Sequence, residues 1–237
     1  MQDAKFEPDL ETVLKRAKQA GVNSIITAGV DLEDSRKALQ LSELHSILHP
    51  VVGLAPYSDQ LQIDDVLTFI TEAGKKIVGV GEIGLDYPWK KRPEQVEPFR
   101  KQIQLAKDLG LPVTVHSRSA GKYVLDILEE EQAEKVHLHS FGGSKQDLKR
   151  IVDLGYFVSI TCRVITSERL QNLAKILPEE LILLETDSPV LSASEGRNEP
   201  AKLVESLNFL SKLLNIDAKE LEKLTEKNSK RVFGQNI

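Results

Sequence analysis

The 237-residue chain carries a single cysteine, Cys162, so it cannot build an intramolecular disulfide framework. No apolar run approaches the roughly 20 residues that cross a bilayer. The opening "MQDAKFEPDL" has none of the apolar core of a secretory signal. Together these absences set the expectation of a cytosolic protein with no membrane partner. Basic excess is lacking as well, since the net charge is −5. That disfavours a protein that coats nucleic acid through a basic face, but not an enzyme that grips a few phosphates through metal ions. Low-complexity stretches are missing too, and 41% of residues are hydrophobic, enough for a sizeable core. The length suits one α/β barrel domain over 1–237.

What the chain does contain is a regular alternation. Seven short apolar runs recur: "SIITAGV" (24–30), "PVVGLAP" (50–56), "IVGVGEIG" (77–84), "PVTVHS" (112–117), "KVHLHS" (135–140), "YFVSIT" (156–161) and "LILLET" (181–186). Each has the length and β-favouring composition of a strand buried on both faces. Amphipathic stretches lie between them. Leu10, Val13, Leu14 and Ala17 follow helical spacing, with Pro8 near the start and Gly21 as a stop. Val96, Phe99, Ile103 and Ala106 repeat the pattern. Leu148, Ile151 and Val152 do so again, between Ser144 as an N-cap and Gly155 as a C-terminal stop. A last helix is expected over 217–233. The alternation predicts a parallel sheet wrapped in about eight helices, a TIM-type (β/α)8 barrel one strand short at its N-terminal end.

Chemistry clusters where the apolar runs end. Glu82, His116, His139 and Asp187 close the third, fourth, fifth and seventh runs, and the C-terminal strand ends of such a barrel converge on one mouth. Two imidazoles and two carboxylates brought there form a divalent-metal set. Taken singly, a histidine at a strand end is an ordinary hydrogen-bonded group and an acid there an ordinary helix cap. Four at equivalent positions are harder to read that way. His137, one strand layer deeper than His139, reads as structural, and His45 and His49 as surface residues. Cys162 has no partner pattern for nucleophilic catalysis. The glycines of "GVGEIG" read as close-packing positions rather than a phosphate loop, because no helix opens after them.

"GEIGLDY" (81–87), "VHSR" (115–118), "HSFGG" (139–143), "ETDSP" (185–189) and "RNEP" (197–200) resemble, in order and spacing, the motifs of the TatD family of metal-dependent deoxyribonucleases. "FEPDLETVLKRAKQAGV" is similar to that family's first helix. The resemblance covers essentially the whole chain. It implies a TIM barrel of the amidohydrolase-like class and hydrolysis of DNA phosphodiesters, with 3′–5′ exonuclease action as one form, assisted by one or two divalent ions (Mg, Mn or Zn). Carried over by motif, Glu82 bridges two metals, His116 and His139 complete the second metal's ligands, and Asp187 binds the first and orients or deprotonates the attacking water. Single-stranded DNA or DNA ends are the implied partner.

Two departures stand beside the resemblance. The family's N-terminal strand with its His-x-His pair has no counterpart here, and "GLAPY" has Ala55 where the family often has histidine. Three readings of the missing strand stay open: a sequence that starts past it, a site working on Glu82, His116 and His139 alone, or a barrel without turnover. The first is favoured, because losing a barrel strand exposes its neighbours' edges. For substrate grip, Arg118 follows the His116 strand end. Trp89 with Lys90 and Lys91 offers a stacking surface beside cations, and Arg197, with Glu199, follows Asp187 closely, either to shape the mouth or to anchor the last helix. The rival activities are an amidohydrolase-type cleavage of a small amide, ester or lactone, and a non-catalytic scaffold.

Overall fold

Seven parallel strands line up in chain order in a computed structural model that describes residues 1–86, 93–235 and 237. They are β1 (Ile25–Ala28), β2 (Leu48–Val52), β3 (Gly79–Gly84), β4 (Val113–His116), β5 (Val136–Leu138), β6 (Phe157–Thr161) and β7 (Ile182–Glu185). Every predicted run holds one of them. The second starts two residues before its run, so that Pro50 lies inside the strand. Neighbours in sequence are neighbours in the sheet, with pairings such as Thr27 to Pro50, Val115 to Leu138 and Ile160 to Leu184. Each step therefore needs a crossover, and a helix supplies it.

The helices are α1 (Leu10–Gln19), α2 (Leu32–Leu44), α3 (Ile63–Ala73), α4 (Val96–Asp108), α5 (Gly121–Glu130), α6 (Lys145–Leu154), α7 (Glu168–Ile176), α8 (Leu203–Leu214) and α9 (Ala218–Phe233). Their boundaries follow local chemistry. Ser144 caps α6 by accepting from the Asp147 N–H while the Asp147 carboxylate accepts from the Ser144 N–H, and Gly155 ends the helix in the left-handed conformation. Leu148 and Ile151 on the inner face of α6 are buried in the core that joins β3, β4 and β5 to their helices. Burial of each such side chain contributes about 1.5–3 kcal/mol.

This is a TIM-type barrel one strand short of eight, as the sequence predicts. Among the described residues β1 and β7 are the two sheet edges and do not pair with each other. The space between them is partly filled from α9. Val232 and Phe233 pack with Val51, Phe157 and Leu183, and Ile26 and Ala28 of β1 lean on the same cluster. At the β1 edge the Gln2 amide donates to the Ala28 carbonyl at 2.5 Å and to the Asp34 carboxylate at 2.7 Å. Two guanidinium clamps tie the start of the chain to the segment after β7. Arg16 grips Glu199, and Arg197 grips Asp9.

β3 is buried along its whole length. It runs against β4 so closely that a Cβ on Gly84 would stand 2.1 Å from the His116 carbonyl oxygen, and Gly84 also adopts φ +136°. Only glycine meets both conditions. The close approach of these two strands sets the spacing of the side chains at their ends.

Candidate metal centre

β3, β4 and β5 deliver Glu82, His116 and His139 to one point. Glu82 is the fourth residue of β3, His116 the last of β4, and His139 the first beyond β5. Glu82 Oε1 lies 2.8 Å from His116 Nδ1 and 3.4 Å from His139 Nε2, and the two imidazole nitrogens are 3.1 Å apart. One donor atom from each of the three falls within 4.8 Å of the others. All three side chains are nearly buried. This donor set fits a divalent cation, since two imidazoles and one carboxylate leave further coordination positions for water or substrate.

The electrostatics agree with the geometry. Burial opposes ionisation of Glu82, but the imidazoles of His139 and His116 outweigh it and hold the carboxyl far below its usual range. His139 answers in kind: burial disfavours its charge, yet Glu82 and Glu185 raise its pKa well above the ordinary value. A proton shared in this cluster neutralises carboxylate charge where a cation would do so.

Asp187 stands two residues past β7 in the left-handed region, φ +57°, which aspartate tolerates better than most residues. It is not part of the compact group of three, but it lines the same cavity of about 860 Å³ as Glu82 and His139. Burial, then the neighbouring Glu185 charge, push its pKa up to about 6. The loop that carries it is pinned by Asn198, fully buried, whose amide donates to the Thr186 and Val190 carbonyls at 2.6 and 2.8 Å.

Arg118 projects beside the centre, its side chain 68% exposed, and donates through Nε and Nη2 to the buried carboxylate of Asp86 at 2.7 and 2.5 Å. Arg197 is not brought here. It forms two bonds to Asp9 at 2.8 and 2.7 Å, and its guanidinium stacks 4.7 Å over the Phe6 ring. Its position near Asp187 in sequence is not matched by position in the site. Trp89, Lys90 and Lys91 lie outside the described residues. His137 is buried and placed between Thr114 and Ser159, and burial lowers its pKa to about 4. His45 and His49 are partly buried rather than fully at the surface, and burial lowers the His49 pKa. Cys162 is buried, and burial raises its thiol pKa.

Three groups at the centre were not singled out from the sequence. Tyr57, in the loop after β2, donates from its hydroxyl to Glu82 Oε1 at 3.2 Å. Asp86 faces His116 Nε2 at 3.5 Å. Glu185 faces His139 Nδ1 at 3.8 Å and accepts from Ser159 Oγ at 2.5 Å. The repeated "acid after an apolar run" marked the last two in principle, but a capping role was equally good for each.

The family described as TatD related DNase matches residues 1–234. A human protein named deoxyribonuclease TATDN3 is 36% identical over 247 residues, covering 96% of this chain and 90% of the relative. The Escherichia coli (strain K12) protein named 3′-5′ ssDNA/RNA exonuclease TatD is 31% identical over 247 residues, covering 98% of this chain and 95% of the relative. The crystal structure of E. coli YJJV, described as a TatD homolog, matches with a TM-score of 0.90 at 28% identity, covering 98% of this chain and 94% of that one.

Proposed function

The chain belongs to the TatD-related DNase family, and from that premise we propose that it hydrolyses DNA phosphodiester bonds, with single-stranded DNA as substrate. The whole chain serves as one catalytic domain. The observation that carries this reading is the convergence of Glu82, His116 and His139 from three adjacent strands, with donor atoms within 4.8 Å of one another.

These three residues would hold a divalent cation. When bound, such an ion supplies Lewis acidity toward the phosphate and lowers the pKa of water. The rest of the work falls to side chains of the chain. Asp187, with a pKa near the working range, takes the proton from the attacking water. Arg118 offers the phosphate its Nη1, which neither bond to Asp86 uses. The negative net charge is no obstacle, because the substrate is gripped at one site rather than along a basic face.

The test is hydrolysis of a short single-stranded DNA with Mg²⁺, Mn²⁺, Co²⁺ or Zn²⁺, against a chelator and a Glu82→Gln control. Metal-dependent cleavage lost in the control is the expected result. Cleavage unchanged in Glu82→Gln would overturn the assignment of the centre. Strong preference for a single-stranded over a duplex oligonucleotide is expected in the same assay.

A further inference from the structure

Among the described residues, two buried polar atoms at the centre lack hydrogen bonds, and both sit on the far side of the metal donors. His116 Nε2 is buried without a hydrogen-bond partner and faces Asp86 Oδ1 at 3.5 Å. Glu185 Oε1 is buried without one and faces His139 Nδ1 at 3.8 Å. The nitrogens that point inward are His116 Nδ1 and His139 Nε2, which meet Glu82. Each histidine thus has one nitrogen at the centre and the other aimed at a carboxylate. A metal-ligating histidine ordinarily gives its outer N–H to such an acceptor, and this fixes the tautomer and the plane of the ring.

The two outer carboxylates are not equivalent. Glu185 accepts from Ser159 and lines the cavity that it shares with Asp187. Asp86, only 4% exposed, also receives two bonds from the exposed Arg118. Its backbone is held in turn, since its N–H donates to the buried Gln95 Oε1 at 3.0 Å. Arg118 is otherwise a long side chain at the mouth, and an unanchored one would lose several rotamers on gripping a phosphate.

We propose that Asp86 is a positioning residue that joins metal capture to phosphate grip. Its single carboxylate orients His116 through the outer imidazole N–H and aims Arg118 through two charge-assisted bonds. The proposal rests on the phosphodiesterase reading for what Arg118 grips, but not for how Asp86 acts on His116.

The test uses binding, not turnover. Mn²⁺ affinity is measured by calorimetry, and binding of a fluorescent phosphorothioate tetranucleotide by anisotropy at saturating Mn²⁺. Asp86→Asn is expected to weaken Mn²⁺ binding about 10–100-fold and to weaken the oligonucleotide as well. Glu185→Gln should weaken Mn²⁺ but leave the oligonucleotide unchanged at saturating metal. Arg118→Ala should do the reverse. The double variant Asp86→Asn with Arg118→Ala should bind the oligonucleotide no more weakly than Arg118→Ala alone, because one acts through the other. Mn²⁺ affinity of Asp86→Asn within twofold of wild type, or additive losses in the double variant, overturns the proposal. Should Asp86→Asn fail to fold, ¹⁵N-histidine spectra of the wild-type protein with Zn²⁺ decide. A slowly exchanging, downfield Nε2–H on His116 is expected, and its absence overturns the proposal. A wild-type protein that shows these couplings but leaves DNA uncut would count against the hydrolytic reading alone.

Discussion

The Tyr57 hydroxyl donates to Glu82 Oε1 across 3.2 Å, while its ring stands edge-on to His116 with centroids 5.6 Å apart. Tyr57 thereby touches two of the three proposed metal ligands from a loop whose strand, β2, supplies none of them. Its phenol stays protonated, because burial and then the Glu82 charge push its pKa far above the ordinary value. A hydroxyl in this place fixes which way the carboxylate presents its oxygens.

Tyr57→Phe removes that donor and little else. Mn²⁺ binding is expected to weaken about tenfold, the cost of one hydrogen bond to a charged group. Saturating Mn²⁺ should then restore the cleavage rate to near wild type. A titration of rate against Mn²⁺ checks this, and a rate that stays low at saturation would move Tyr57 from holding Glu82 to acting on substrate.

Much of the fold was legible because the strands are buried on both faces. Burial on both sides leaves an unbroken apolar run, and each of the seven runs yielded its strand. Glu82, His116 and His139 were legible for a related reason: each interrupts or ends such a run, where a polar group needs an explanation. Asp86 and Glu185 carry the same signal, but an acid at or just past a strand end serves equally as a cap, and only the distance to a histidine separates the two roles. Arg197 shows the opposite failure. It lies ten residues after Asp187 in sequence, yet Asp9, 188 residues away, holds it. Nothing local in the sequence reveals that pairing.

Arg197→Ala is therefore expected to act on stability and not on substrate. The variant loses the Asp9 bonds and the stacking over Phe6, a side chain with no exposure at all. The melting temperature should fall by a few degrees, while KM for a single-stranded oligonucleotide stays at the wild-type value. Thermal melts beside steady-state kinetics separate the two. A raised KM with unchanged melting would return Arg197 to the substrate site.

The open edges make a second physical prediction. Among the described residues, backbone groups of β1 and β7 have a strand on one side only, whereas β4 is enclosed by β3 and β5. Edge strands open at lower free-energy cost than enclosed ones. Hydrogen-exchange mass spectrometry should find peptides over 25–28 and 182–185 exchanging faster than those over 113–116. Equal protection would mean that the α9 residues Val232 and Phe233, which pack against both edge strands, seal the gap as well as a strand would.

Asp187 links function to stability through its pKa of about 6, raised from 3.8 first by burial and then by the charge of Glu185. The fold favours the neutral acid, so the stability tied to this group is fully present below about pH 4. It is lost as pH rises through about 6, where the folded chain must hold a buried charge that the unfolded chain solvates. In a chelator, Asp187→Asn should melt a few degrees above wild type at pH 8, with the difference shrinking toward pH 4. The same substitution removes the proposed base and should cut metal-dependent cleavage by on the order of 100-fold or more. In the wild-type protein, cleavage at fixed Mn²⁺ should fall on the acid side of the profile, where the proton occupies the carboxylate. Melts at the two pH values and a pH–rate profile test both halves. A variant that melts with wild type at pH 8 would show that the buried charge carries no cost, and the tension between base and fold would disappear with it.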